Sequence, residues 1–110
     1  MLAKTNRITT REMKTLSRPQ ARSYQSVFTL LYFSASEQKK VAVVVSKKVS
    51  KKAVVRNRLR RQLYALVSAE LSALPNGYYV LRVQPAALSS DFSTLKKELC
   101  VAFGEISKAR

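Results

Sequence analysis

Residues 39–61 hold ten Lys or Arg and no Asp or Glu, in a chain of 110 residues with a formal net charge of +15. The same stretch contains an unbroken apolar run, VAVVVS (41–46), followed at once by SKKVSKKAVVRNRLRRQ (46–62). A short Val-rich run reads as a strand buried on both faces, of the kind found at the centre of a sheet. Beyond it, Ser50 can cap a helix from about Lys51 to Leu74, which Pro75-Asn76-Gly77 ends with a turn signal. At 100° per residue, Val55, Leu59, Leu63, Leu66 and Val67 share one side of that helix, and Asn57, Arg58, Arg61, Ala65 and Ser68 the other. One side packs and the other is free to bind. The run YYVLRVQ (78–84) is a further strand, stopped by Pro85, which cannot donate to a ladder. Strand, long helix, strand is a β-α-β unit, so 41–46 and 78–84 are expected to be parallel.

The remaining segments fill in around this unit. Thr9 or Thr10 can cap a short helix through about Ser17, with Ile8, Met13 and Leu16 on one side, and Pro19 then turns the chain. The run YQSVFTLLYF (24–33) reads as a strand, with one more short strand near 20–23, and residues 34–40 as a hairpin connection into 41–46. Ser89 or Ser90 is expected to cap a last helix with Asp91 in its first turn and Phe92, Leu95, Leu99, Phe103 and Ile106 on its buried face. With two Gly and no repeat or low-complexity tract, the expectation is one domain over residues 1–110, with 1–6 frayed. The fold class expected is α+β in two layers, a single mixed sheet of about four strands with three helices, in the order αβββαβα.

Composition excludes several functions. The chain has no His, which removes the commonest general base and the usual nucleophile pairs, and its single Cys100 can supply neither an internal disulfide nor a CxxC site. Cys100 itself is expected to be inert and partly buried. No apolar run approaches the roughly 18 residues of a membrane span, and the N-terminal stretch lacks a secretory h-region, so the expected location is cytoplasmic. At 46% hydrophobic and 25% charged the chain is too apolar for a disordered basic tail.

A block of cations implies a polyanionic partner. Arg pairs bidentately with phosphate and stacks on bases, whereas Lys adds a mobile point charge, and here four Lys precede four Arg. Lys51 and Lys52 fall in the expected first helical turn, where the helix dipole gives positive charge no help. Asn57 has a donor and an acceptor amid the Arg run and can hold an Arg or contact a sugar or base edge. Arg56 and Arg60 fall near the rim of the apolar side, and Arg58 and Arg61 point away from it. The candidate RNA-binding set is Lys47, Lys48, Lys51, Lys52, Arg56, Asn57, Arg58, Arg60 and Arg61. Most strand aromatics belong in a core. Phe28, which shares strand parity with Leu30 and Tyr32, is the one chosen to line a ligand surface. Asp91, Glu98 and Glu105 recur every seven residues, about 10 Å apart on a helix, too far for one metal, and read as a solvated face.

The run VVVSKKVSKKAVVRNRLRRQL resembles the protein component of bacterial ribonuclease P, whose hallmark is a VSKK strand end followed by an AVxRNRxKR helix, here Val45-Ser46-Lys47-Lys48 and residues 53–61. Supporting matches are Asn6-Arg7-Ile8, the strand around Phe28, the turn near Asn76-Gly77 and Pro85. The resemblance implies a left-handed βαβ crossover, against the right-handed default. It also implies a partner RNA that carries the catalytic site, with Mg²⁺ bound mainly by that RNA, and cleavage of the 5′ leader from precursor tRNA. The protein alone is then inactive. The helix of residues 53–61 would meet the ribonuclease P RNA, and a cleft between the first helix and the sheet would take the single-stranded leader. Met13, Leu16, Phe28, Leu31 and Arg82 are the cleft residues by position. Here Met13 and Leu16 stand where phenylalanines are usual, Leu31 where an aromatic is expected, Ser50 at a usual glycine, and Tyr64-Ala65 at a common Arg-Glu pair. Val83 and Gln84 replace expected basic residues. The expected activity is an endoribonuclease as a holoenzyme subunit, without membrane association or an obligate protein partner. The competing readings are a structural RNA binder of the ribosomal-protein type and, more weakly, a peripheral protein on anionic membrane.

Overall fold

The computed structural model describes residues 7–16, 18–34 and 38–109. Strand β1 (Ala21–Tyr24) turns at Gln25–Val27 into β2 (Phe28–Ser34), and the Gln25 N–H donates to the Phe28 carbonyl at 2.9 Å. Strand β2 pairs antiparallel with β4 (Gly77–Val83), which pairs parallel with β3 (Lys39–Val44), so one mixed sheet runs β1-β2-β4-β3. Helix α1 (Thr10–Thr15) precedes the sheet. Helix α2 (Ala53–Glu70), extended by a 3₁₀ turn at Leu71–Ala73, crosses from β3 to β4. Helix α3 (Phe92–Ala109) follows a second 3₁₀ turn at Pro85–Ser89. The class and the order αβββαβα are those expected.

Strand alternation divides the sheet into two working faces. Phe28, Leu30 and Tyr32 align with Val83, Leu81 and Tyr79, and these with Val41 and Val43. This face joins Leu59, Leu63, Leu66 and Val67 of α2 and Leu95, Leu99, Ala102, Phe103 and Ile106 of α3 in one core. Tyr79 lies at its centre, 5.1 Å from the Tyr32 ring and edge-on to Phe103 at 5.8 Å, a geometry that adds to the area buried. The opposite face carries Thr29, Leu31, Phe33, Val80 and Arg82, and α1 lies against it.

Several expectations change in physically readable ways. The short strand expected near 20–23 is β1, and the run 24–33 is not one strand: Tyr24 ends β1, and a tight turn at Gln25–Val27 that lacks Gly, Pro and Asn leads into β2. What holds this turn is remote in sequence: Glu98 of α3 accepts from the Ser26 N–H (3.2 Å) and hydroxyl (2.9 Å). Glu105 accepts from the Ser23 hydroxyl and from Gln25 Nε2 (3.3 Å). Asp91 accepts from the Thr94 N–H at 2.8 Å and so caps α3 itself, in place of Ser89 or Ser90. The acidic stripe is therefore a docking strip and a cap, with Asp91 and Glu105 still exposed to solvent and Glu98 half-buried. Phe92 is 49% exposed and Cys100 is exposed, so neither belongs to the buried face.

The expected 34–40 hairpin does not pair its two strands, because β4 inserts between β2 and β3; residues 35–37 and the ends at 1–6 and Ser17 lie outside the described residues. Strand β3 is not central but an edge, and runs 39–44 rather than 41–46. Val41 and Val43 join the core beneath α2, while on the outer face Ala42 is buried and Val44 is 38% exposed. The free rim of β3 is also covered. The Ile8 N–H donates to the Val41 carbonyl (2.9 Å), and the Val43 N–H donates to the Tyr64 hydroxyl (3.2 Å). Helix α2 begins two residues later than expected. Lys52 occupies the N-cap with no side-chain cap, and Ser50 Oγ instead accepts from the Lys52 N–H at 3.2 Å.

At the start of β4, Gly77 has φ +153°, and a Cβ there would run into the Tyr32 ring and lie 2.9 Å from the Phe33 carbonyl oxygen. Tyr32 cannot retreat easily, since its hydroxyl donates to the Asn76 carbonyl at 2.7 Å. Gly77→Ala is expected to destabilise the fold by about 1–3 kcal/mol, read as a lower urea midpoint with an unchanged slope; an unchanged midpoint would refute the close packing.

Candidate nucleic-acid interface

The basic block emerges where β3 ends. Val45 and Val49 insert into the core and anchor the turn between them, closed by the Val49 N–H donating to the Ser46 carbonyl at 3.1 Å, which leaves Lys47 and Lys48 exposed. Lys51 and Lys52 are exposed ahead of α2, Arg58, Arg61 and Asn57 on its outer side, and Arg56 and Arg60 half-buried at its flanks. Two of the Arg are braced: Arg56 Nη1 donates to the Ser50 carbonyl (2.9 Å) and Arg60 Nη1 to Asn57 Oδ1 (2.8 Å). Asn57 thus holds an Arg. Among the described residues, none of the eight cations has a carboxylate within 4 Å. Positive charge at an uncapped helix N-terminus opposes the helix dipole, so Lys51 and Lys52 do not serve the stability of α2.

The second part of the site is an open cleft of about 430 Å³ between α1 and the outer sheet face. Met13 of α1, Leu16 at its C-cap, Leu31 of β2 and Arg82 of β4 line it. Phe28 does not. It is fully buried on the opposite face, because the parity it shares with Leu30 and Tyr32 is that of the core. The aromatic and basic surface comes instead from Arg22, Tyr24 and Phe33. Tyr24 is 68% exposed and accepts from Arg22 Nη1 at 3.4 Å. Alternation could have found these residues, since Arg22 and Tyr24 flank the buried Ser23, and Phe33 shares parity with Leu31.

One carboxylate positions α1 over this cleft. Glu12 closes a capping box with Thr9, donating its N–H to Thr9 Oγ1 (3.1 Å) and accepting from the Thr9 N–H (3.0 Å). Its other oxygen accepts from Lys40 Nζ at 2.7 Å and from the Tyr78 hydroxyl at 3.2 Å, tying the helix to β3 and β4. The Lys40 ammonium, with the Thr9 N–H, lowers the Glu12 pKa from 4.5 to about 2. Burial and then the Glu12 carboxylate raise the Tyr78 phenol, which stays a donor.

With this geometry in place, comparison with known proteins decides the family. The family model described as Ribonuclease P matches residues 2–107. The chain belongs to the ribonuclease P protein family. The ribonuclease P protein component of Nitratiruptor sp. is 32% identical over 88 residues, covering 80% of this chain and 80% of that protein. That of Cyanothece sp. is 39% identical over 67 residues, 60% of this chain, and the match spans about half (51%) of its length. The fold is similar to that of the RNase P protein from Staphylococcus aureus, with a TM-score of 0.70 at 16% identity over 81% of this chain and 82% of that one. For the protein from Thermotoga maritima the TM-score is 0.64 at 21% identity, over 73% of this chain and 77% of that one.

Within the ribonuclease P protein fold seen here, sequence reasoning missed Tyr64, which is 7% exposed and meets both the β3 rim and Arg7. The described carboxylates do not converge on a cation: no group of three His, Cys, Asp or Glu comes together among the described residues. No helix there is long and apolar enough to cross a membrane.

The depressed Glu12 pKa has a definite sign. A carboxylate whose folded pKa lies below its unfolded value favours the folded state above about pH 4.5 and loses that contribution as pH falls toward 2. NMR titration of the Glu12 carboxyl should give a midpoint near 2, and Lys40→Met should move it up toward 4.5. A midpoint that ignores Lys40→Met would show that the ion pair does not hold α1.

Proposed function

We propose that this chain is the protein subunit of a cytoplasmic ribonuclease P, binding the catalytic RNA and the 5′ leader of precursor tRNA and assisting endonucleolytic removal of that leader. The observation that carries the reading is the family match over residues 2–107. The cations of the 46–61 segment, none with a carboxylate within 4 Å among the described residues, give the RNA a surface on which phosphates replace counterions. The cleft offers Tyr24 and Phe33 as stacking faces with Arg22 and Arg82 beside them, an arrangement suited to unpaired bases on a flexible backbone. Precursor tRNA is therefore held from the leader side, and the protein acts by positioning. The partner RNA supplies the hydrated Mg²⁺ and the reacting groups, in keeping with a chain that has no His.

Precursor-tRNA cleavage by a bacterial ribonuclease P RNA at low Mg²⁺ should be restored by the wild-type chain and not by Arg58→Ala/Arg61→Ala. RNA binding without rescue, using RNA from the same source, would favour a structural RNA binder. Met13→Phe adds an aromatic face to the cleft and is expected to tighten long-leader substrates by about 1 kcal/mol while leaving mature tRNA unchanged. Equal effects on both would remove the leader from this cleft.

A further inference from the structure

We propose that Tyr64 is a positioning residue that fixes Arg7 on the RNA-binding side of α2, so that the phosphate-contacting surface reaches from that helix to the segment ahead of α1. The inference rests on the RNA-binding reading above and adds two residues to it. Tyr64 lies on α2 one turn beyond Arg60 and Arg61, and its ring is immobilised from the sheet side by the hydrogen bond from the Val43 N–H at 3.2 Å. The Arg7 guanidinium carbon sits 5.7 Å from the centre of that ring, within range of a cation–π contact. The Arg7 backbone is fixed as well, bridging to Val41 in parallel register while the next residue, Ile8, donates its N–H to the Val41 carbonyl at 2.9 Å. The guanidinium is thus held from both ends: its backbone by the rim of β3, its head by an aromatic ring.

Arg7, Asn57, Arg60, Arg61 and Tyr64 border one open concavity of about 570 Å³. Arg60 is braced by Asn57 at 2.8 Å, as Arg7 is by Tyr64. Three guanidiniums converge on a space that holds a nucleotide phosphate, and two of them have lost rotamer freedom before any ligand arrives, which lowers the entropic cost of gripping it. A guanidinium lying on a ring keeps its charge and presents its donors in its own plane, the edge by which Arg forks onto phosphate. The ligand chemistry is an RNA backbone phosphate.

The test is the salt dependence of binding to a bacterial ribonuclease P RNA, with thermal melts as a folding control. Arg7→Ala should lower the slope of log K against log salt by roughly one, the loss of one phosphate contact. Tyr64→Leu, which removes the ring, should lower it by the same amount, and the double variant Arg7→Ala/Tyr64→Leu by no more than Arg7→Ala alone. Tyr64→Phe keeps the ring and should keep the slope even where it lowers the melting temperature. Additive losses, or a Tyr64→Leu variant that loses stability with its slope intact, overturn the assignment. Should Tyr64→Leu fail to fold, Arg7→Ala still decides, because it removes no core atom: an unchanged slope refutes the proposal. In that event a reduced slope for Arg58→Ala and Arg61→Ala would leave the RNA-binding reading standing. No salt-sensitive binding by the wild-type chain would overturn both.

Discussion

A parallel strand pair cannot be closed by a tight turn, and β3 and β4 are such a pair. The chain must leave the end of β3, travel the length of the sheet and re-enter beside it. The crossover helix that makes this journey is α2, which turns Leu59, Leu63, Leu66 and Val67 to the sheet and Arg58 and Arg61 to solvent. The exposed basic surface is thus built into the connection that completes the sheet. A chain with antiparallel neighbours could close β3 with two residues and would have no reason to present a helix there.

Charge and fold pull against each other in this helix. Four Lys precede four Arg with no acid between them, the N-cap is a lysine, and the first turn has no carboxylate to match the dipole. The burial of one apolar side, about 1.5–3 kcal/mol for each large side chain, overcomes this. A polyanion relieves the repulsion that remains, so binding and folding of the helix are favoured by the same event.

What the sequence disclosed depends on how local the cause is. The two faces of α2 and the strand at β4 follow from spacing within one segment, and Leu59, Leu63, Arg58 and Arg61 stand where periodicity puts them. Thr9 caps α1 through Glu12, three residues away. The turn at Ser26 was illegible because its stabilising partner, Glu98, is 72 residues distant. Strand β3 looked central because periodicity records burial of faces and is blind to the rim, which Ile8 and Tyr64 cover from elsewhere in the chain. Phe28 failed as a cleft residue for a related reason: parity groups residues onto a face without saying which face meets the helices. The cleft was legible in part, since Met13, Leu16, Leu31 and Arg82 were placed by resemblance, while Arg22, Tyr24 and Phe33 needed the sheet register.

The covered rim of β3 also bears on how this chain behaves in the company of its own copies. An open sheet edge is a template for the strand of another molecule, and edge-to-edge addition is the first step toward aggregates. Here one edge has its outward groups at Val41 and Val43 occupied, and the other, β1, is four residues long and carries Arg22. Both edges of the sheet are thereby poor templates for the strand of another copy.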